Sequence, residues 1–508
     1  MQRFLTTAAV ILTLAGPAHA QSAAEPALVV SSFFPADLNP AARGDFMTEY
    51  GAAQTLMQLR ADGQFHPWLA QSVERVADTQ WVVTLRPGIN FQNGTPADAQ
   101  AVADSMTHTL ANSSGATGAV PEGFGVTATG ELELTIDTGR PFPGLPGVLS
   151  RASFFTIYDV DAVATVGEDW AALAGQGIYT GPYEVESHSS EHWTLVRNDD
   201  YWEGTPGMDG LDVRLVPDAN ARVLSVQNGE ADIALYPPTA AKPVVDATPG
   251  MEFSVGILDS RGFMMFLNSK LPPFDDVTVR KAVARFIDTT ELAEVVFDGV
   301  FAPAESIYSP AFPYAVANQR MDRDEAMALL DTAGWAVGDD GIRSRDGAKL
   351  AITILIYPSQ PDLTPMSTAL QAQLRELGVE VSIRSVDDIA AAMADLDSWH
   401  GALSSSSFGN WGQPENFLSS TVVTGAPQNT TGYSNAEIDR LAGELAEELE
   451  PARQTELLAE IQDVLVNQDP FGIQLVFQQT RAIVNDRFAG FAPGFQNQFF
   501  NWQTAPAQ

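Results

Sequence analysis

The chain has 508 residues, 64 acidic against 27 basic side chains, a formal charge of -37 at neutral pH and no cysteine. That length exceeds one compact core, so two or three lobes are expected. The charge argues against a nucleic-acid binder, and the missing thiols argue against disulfides, cysteine-bound metals, thiolate catalysis and a lipid anchor on cysteine.

Residues 1–20 read as an export signal: Arg3, an apolar run over residues 5–15, a break at Gly16-Pro17, and Ala18-His19-Ala20 as a small-x-small cleavage site. The expected elements then follow in order: a strand over 28–30, a helix over 50–59, and a strand over 81–85 stopped by Pro87-Gly88. Next come a helix from Asp98 to residue 110, a loop over 113–125 and a strand over 132–136. A hairpin over 182–187 and 193–197, a strand over 211–216, a helix over 219–228 closed by Gly229 and a strand over 232–235 make an α/β unit. The pattern repeats with a strand over 263–267 and a helix from Asp276 whose Val279, Ala282, Val283 and Phe286 share one face. Helices over 324–332 and 364–377, the latter stopped by Gly378, alternate with strands over 350–356 and 379–385. A helical pair over 437–450 and 452–468, broken at Pro451, precedes a strand over 472–477. Residues from 482 onward are too few for a lobe and are expected to return to an earlier one, which favours a hinged, two-sided molecule.

No HExxH, Walker phosphate loop, GxGxxG opening a helix or GxSxG elbow occurs. His188 and His192 are four apart but fall in the turn of the expected hairpin, where such spacing does not converge; they are expected as exposed turn residues. No catalytic residue, metal ligand or cofactor is therefore assigned. An exported, multi-lobed chain with aromatic residues in loops fits ligand capture in a cleft.

Several segments carry a resemblance. Trp81-Val82-Val83-Thr84-Leu85-Arg86-Pro87-Gly88 with Asn93-Gly94-Thr95-Pro96 is followed by Thr180-Gly181-Pro182-Tyr183 and Arg197-Asn198-Asp199-Asp200-Tyr201-Trp202. Then come Asn228-Gly229-Glu230-Ala231-Asp232-Ile233, Val279-Arg280-Lys281-Ala282 and Gly432-Tyr433-Ser434-Asn435. In this order they resemble the extracytoplasmic solute-binding proteins of ABC importers that handle peptides and nickel, solute-binding protein family 5. The resemblance implies an α/β fold of the periplasmic binding protein-like class II, with two hinged α/β lobes, an additional domain and a ligand cleft between the lobes. The implied layout is a signal peptide at 1–20, lobe I from 21–58, 182–268 and 481–508, an appended domain at 59–181 and lobe II at 269–480, hinged near 268 and 480. The implied protein is not an enzyme. It is a soluble periplasmic monomer without lipid anchor, nucleic acid or cofactor that carries a small-molecule solute to ABC permease subunits in the inner membrane.

The family's peptide binders hold the ligand's amino terminus with an aspartate in a Gly-Asp motif; the matching position here is Asn410, after Gly409. A charge pair to an ammonium is lost there, although a hydrogen bond remains available. Arg151, ahead of Phe154-Phe155, resembles the arginine by which nickel-binding relatives face a chelator's carboxylates. Their histidine ligand has no match within residues 421–432. Phe408 and Trp411 match the family's cleft aromatics. The expected ligand contacts are thus Arg151, Phe408, Asn410 and Trp411. The expected solute is a small peptide or peptide-like carboxylated compound, with nickel or another chelated metal as the alternative.

Overall fold

The computed structural model describes residues 25–406, 413–495 and 498–507; the expected export signal lies outside them. Eleven strands of the described residues form one sheet: β1 (Ala27–Ser31), β2 (Tyr183–His188), β3 (His192–Arg197), β4 (Gly210–Leu215), β5 (Ile233–Leu235), β6 (Met251–Leu267), β7 (Phe301–Pro303), β8 (Ala351–Ile356), β9 (Glu380–Ser385), β10 (Gly401–Ser406) and β11 (Gly472–Asn485). Their order is β9-β8-β10-β6-β11-β5-β1-β4-β3-β2, with β7 pairing β11 off this path. At one end β1 lies parallel to both β4 and β5; at the other, β8 lies parallel to both β9 and β10.

Between these parallel regions run β6 and β11, of 17 and 14 residues, against a usual strand of about 5–6. They pair antiparallel from Met251 opposite Asn485 to Phe266 opposite Gly472, with register shifts between Val255 and Leu258 and between Leu258 and Gly262. Such shifts bend and twist a strand locally. Here they fall midway along the pair, so the same two strands enter both halves of the molecule.

The apolar core is divided accordingly. One cluster draws on residues 27–53, 158–235 and 482–500. A second lies wholly within residues 56–157, around a four-stranded sheet that includes Gln80–Leu85 and Glu133–Asp137 and the helix Ala99–Asn112. A third is centred on residues 263–476 but reaches Val30, Val223 and Ile483, and a fourth uses residues 264–471.

Most expected elements form where their patterns place them. Asp98 and Asp276 cap the helices Ala99–Asn112 and Val277–Phe286 through their side chains, and Gly378 ends Leu363–Leu377 in the left-handed conformation. Two expectations fail, and two strands prove longer than expected. The helix expected at 50–59 is displaced: Asn39 caps Pro40–Glu49, and Tyr50 ends it. Gly51 at φ 76 turns the chain into a short strand, Met57–Leu59. Tyr50, Ala52, Ala53, Leu56 and Met57 are buried in succession, so their apolarity reflects a chain threading the core rather than a helical stripe. The loop expected at 113–125 contains the helix Ser114–Ala119, capped by Ser113. The strands expected at 263–267 and 472–477 are the inner portions of the longer β6 and β11.

Gly378 has a second constraint. A Cβ there would lie 2.7 Å from Arg343 Cγ, and that arginine donates from Nε to Leu377 O at 2.9 Å and from Nη1 to Trp335 O at 2.8 Å. Gly378→Ala is expected to lower stability by about 1–2 kcal/mol, from the left-handed backbone alone, with more added if Arg343 cannot shift; a urea unfolding midpoint checks this.

Candidate ligand cleft

In an open α/β sheet the carboxyl ends of parallel strands leave a crevice where the strand order changes direction. The chain has two such crevices facing one cavity of about 730 Å³. Phe33 follows β1, Pro217 follows β4 and Tyr236 follows β5, whereas Pro358 to Asp362 follow β8; Asp259 and Arg261 from β6 and Arg481 from β11 complete the walls.

Tyr236 is the most constrained of these groups. Its backbone has φ 53, a region sparsely used by residues with a Cβ. Arg222 fixes it there by donating from Nη2 to Tyr236 O at 2.9 Å, from Nε to Leu235 O at 3.1 Å and from Nη1 to Val216 O at 2.7 Å. The Tyr236 ring meets Phe33 and Phe499 edge-on, at centroid distances of 5.3 and 5.4 Å. Burial, reinforced by Glu49 and Tyr50, raises its hydroxyl well above the usual phenol range, so the ring faces the cavity as a neutral wall.

The charged floor is internally paired. Asp259, 1% exposed, accepts from Arg261 Nε at 3.0 Å and Nη2 at 2.7 Å. Burial disfavours the Arg261 charge, but the Asp259 carboxylate outweighs it and holds the guanidinium above its ordinary value. Asp362 precedes the helix Leu363–Leu377 yet does not cap it. Its carboxylate instead accepts from Thr239 Oγ1 at 2.5 Å and Arg481 Nη2 at 3.4 Å. Arg481 Nε also donates to Pro237 O at 3.1 Å. These bonds connect the segment after β5 with the loop after β8 through β11, so the two walls are tied to each other.

Arg151 stands elsewhere, between the helices Leu145–Ser150 and Ala152–Phe155, and does not line this cavity. Its Nε donates to Ser153 Oγ at 3.1 Å and its guanidinium carbon lies 4.1 Å from the Phe154 ring centroid. Burial pulls its charge below the usual value, opposed by Asp45; Asp45 is raised by burial despite Arg151 and Ser153. Phe408, Asn410 and Trp411 lie outside the described residues, in the segment joining β10 to the helix Pro414–Phe417. His188 and His192 do not converge: their Nε2 atoms meet Pro35 O at 2.7 Å and Asp212 Oδ1 at 2.9 Å. Sequence reasoning missed Tyr236, Asp259, Arg261, Asp362 and Arg481. The available signals were an Asp-x-Arg interruption of an apolar strand and a Tyr-Pro-Pro break directly after a buried one.

Away from the lining of this cleft, Gln413 Nε2 donates to Gly144 O at 3.2 Å and Arg140 faces Glu447 at 3.8 Å, joining residues 140–144 to the C-terminal half. Glu415, in the same contact, is pushed up to about 7 by burial. A carboxyl raised from 4.5 makes the folded chain bind more protons than the unfolded one between pH 4.5 and 7, so its contribution falls as pH rises through that window. Glu415→Gln is therefore expected to be more stable than the parent at pH 8 by up to about 3 kcal/mol and equal to it at pH 4, as read by urea unfolding at both pH values.

Comparison with known proteins fits this architecture. Residues 64–429 match the family described as bacterial extracellular solute-binding proteins, family 5. The chain is 25% identical over 404 residues to a nickel-binding protein of Staphylococcus aureus, covering 79% of this chain and 78% of that one. It is 24% identical over 371 residues to a dipeptide-binding protein of Bacillus subtilis, covering 72% and 66%. The crystal structure of a nickel ABC transporter protein from Bacillus halodurans superposes with a TM-score of 0.79 at 23% identity, covering 94% and 99% of the two chains. A match over well over half of the chain, on a two-crevice α/β frame shared with solved relatives, places this protein in family 5 of the bacterial extracellular solute-binding proteins.

Proposed function

We propose that the protein captures a small peptide or peptide-like carboxylated solute in the cleft between its two halves and delivers it to an ABC permease. The observation that carries this reading is the cavity of about 730 Å³ at the carboxyl ends of parallel strands from both halves, with Arg261 and Arg481 on its floor. Guanidinium groups bind carboxylates through paired N–H donors. Closure about β6 and β11 would follow from contacts available only when both walls face the solute. The division into lobe I, appended domain and lobe II is part of this reading; the clusters within residues 56–157 and 264–471 support it, while residues 158–179 pack with lobe I and one cluster runs from Val30 and Val223 into residues 263–476. So are a periplasmic location without lipid anchor, a monomeric state and the absence of catalysis; no described helix is long and apolar enough to cross a membrane.

Arg151, Phe408, Asn410 and Trp411 are proposed as further solute contacts, on the family resemblance. The second reading, nickel or another chelated metal, is favoured by the likeness to the nickel-binding relative. Among the described residues no three His, Asp or Glu converge on a metal position, so the metal would enter within a chelator whose carboxylates meet arginine.

Native mass spectrometry of the purified protein, followed by calorimetry with dipeptides, glutathione and nickel–histidine, tests both. A dipeptide is expected to bind at least about tenfold more tightly than its C-terminal amide, the loss associated with a charged hydrogen bond. Binding of nickel–histidine alone would establish the second reading, and binding of none would overturn both. Arg151→Ala is expected to weaken carboxylate binding about tenfold and to cost about 1–3 kcal/mol of stability, because it leaves buried Asp45 without its cation. Unchanged affinity by calorimetry would remove Arg151 from the site.

A further inference from the structure

A second cavity, of about 380 Å³, lies where residues 143–146 meet Pro313, Tyr314 and residues 413–415. Its polar groups are unlike those of the central cleft. Gln413 is 3% exposed; its Nε2 is committed to Gly144 O, and its Oε1 is buried with no hydrogen-bond partner among the described residues. The Tyr314 hydroxyl is likewise buried and unpartnered among them. Glu415 completes the set. Its carboxylate lies so close to Gly144 that a Cβ there would collide with Oε1, and no basic side chain of the described residues relieves its burial. Arg140, which lines the smaller neighbouring cavity, is paired with Glu447. The remaining wall includes Pro143, Pro146, Leu445 and Leu458 together with the polar Gln64, Gln454 and Thr455.

Two buried oxygens without partners and a carboxyl without a counter-charge, on three side chains that line one cavity, are costly, because buried polar groups require partners and a buried carboxylate requires a cation or a proton. An organic cation on an aliphatic stem has the complementary form. Its N–H groups supply the missing donors, while its methylenes cover the proline and leucine wall. We propose that this cavity is a cation site, separate from the central cleft, that takes a guanidinium or primary ammonium group carried on an aliphatic chain. Its walls come from residues 63–65 and 143–146 together with residues 313–314 and 413–458, so occupancy stabilises the arrangement in which those segments touch. The formal charge of -37 raises the local concentration of such cations.

The test uses the full chain at pH 8 and low ionic strength, with n-butylguanidinium as probe and n-butylurea as its neutral counterpart, read by calorimetry and thermal unfolding. Butylguanidinium is expected to bind and to raise the unfolding temperature, and butylurea to do neither. Glu415→Gln is expected to reduce binding about tenfold or more, and Tyr314→Phe, which removes only a hydroxyl, about threefold to tenfold. Equal effects of the two probes, unchanged affinity in both variants, or no binding at saturating millimolar probe would overturn the proposal. Lost probe binding with retained dipeptide or nickel–histidine binding would refute this site alone and leave the central cleft as described.

Discussion

The pairing of β6 with β11 is the constraint from which the rest of the architecture follows. Two strands of 17 and 14 residues cross the whole molecule. The outer portion of β11 lies beside β5, and its inner portion beside β7, while the inner portion of β6 lies beside β10. The register shifts between Val255 and Gly262 interrupt the ladder in the stretch that supplies Asp259 and Arg261 to the cavity. A continuous, regular pair there would fix the two halves as one flat sheet. The bulged pair keeps them connected while leaving the place of least ladder continuity next to the cavity that Asp259 and Arg261 line.

Four of the described arginines, Arg222, Arg280, Arg285 and Arg343, are buried. Arg222 donates to carbonyls around β4 and β5. Arg280 joins Phe274 O and Pro470 O to Asp469, and Arg343 holds the end of the helix Leu363–Leu377. Each planar fork satisfies several backbone acceptors that loop segments would otherwise leave unpaired. With 64 acids on the chain, surface arginines would mostly form screened pairs of little energetic consequence; the same residue used as a buried clamp fixes a backbone turn such as that at Tyr236.

Much of the frame was legible because local chemistry and tertiary role agree. Asp98, Asp276 and Gly378 are placed by capping rules that act within one turn, and the structure uses them so. The run at residues 50–59 was misread because burial on all sides erases the periodicity that separates helix from extended chain. The long hinge strands were cut short for a related reason: Asp259, Ser260 and Arg261 look like the end of a strand unless a polar cavity beside them is known. The cleft's charged floor depends on residues more than 100 positions apart, as Thr239, Asp362 and Arg481 show, and no local pattern encodes that meeting. Arg151 was singled out by resemblance; the structure shows a side chain engaged by Ser153, Phe154 and Asp45.

The N-terminal core cluster contains residues 27–53 together with residues 482–500, and β5 takes Ala482 to Val484 as its antiparallel neighbour. Synthesis delivers these partners at opposite ends of the chain's production, whereas a domain made of contiguous sequence can close as it emerges. The first segment to appear is therefore among the last to be completed. Until β11 arrives, β5 has an open edge and the aromatic face of Tyr50 lacks Phe499 and Phe500. The connectivity that lets two long strands serve both halves therefore also delays completion of the N-terminal core until the end of the chain is available.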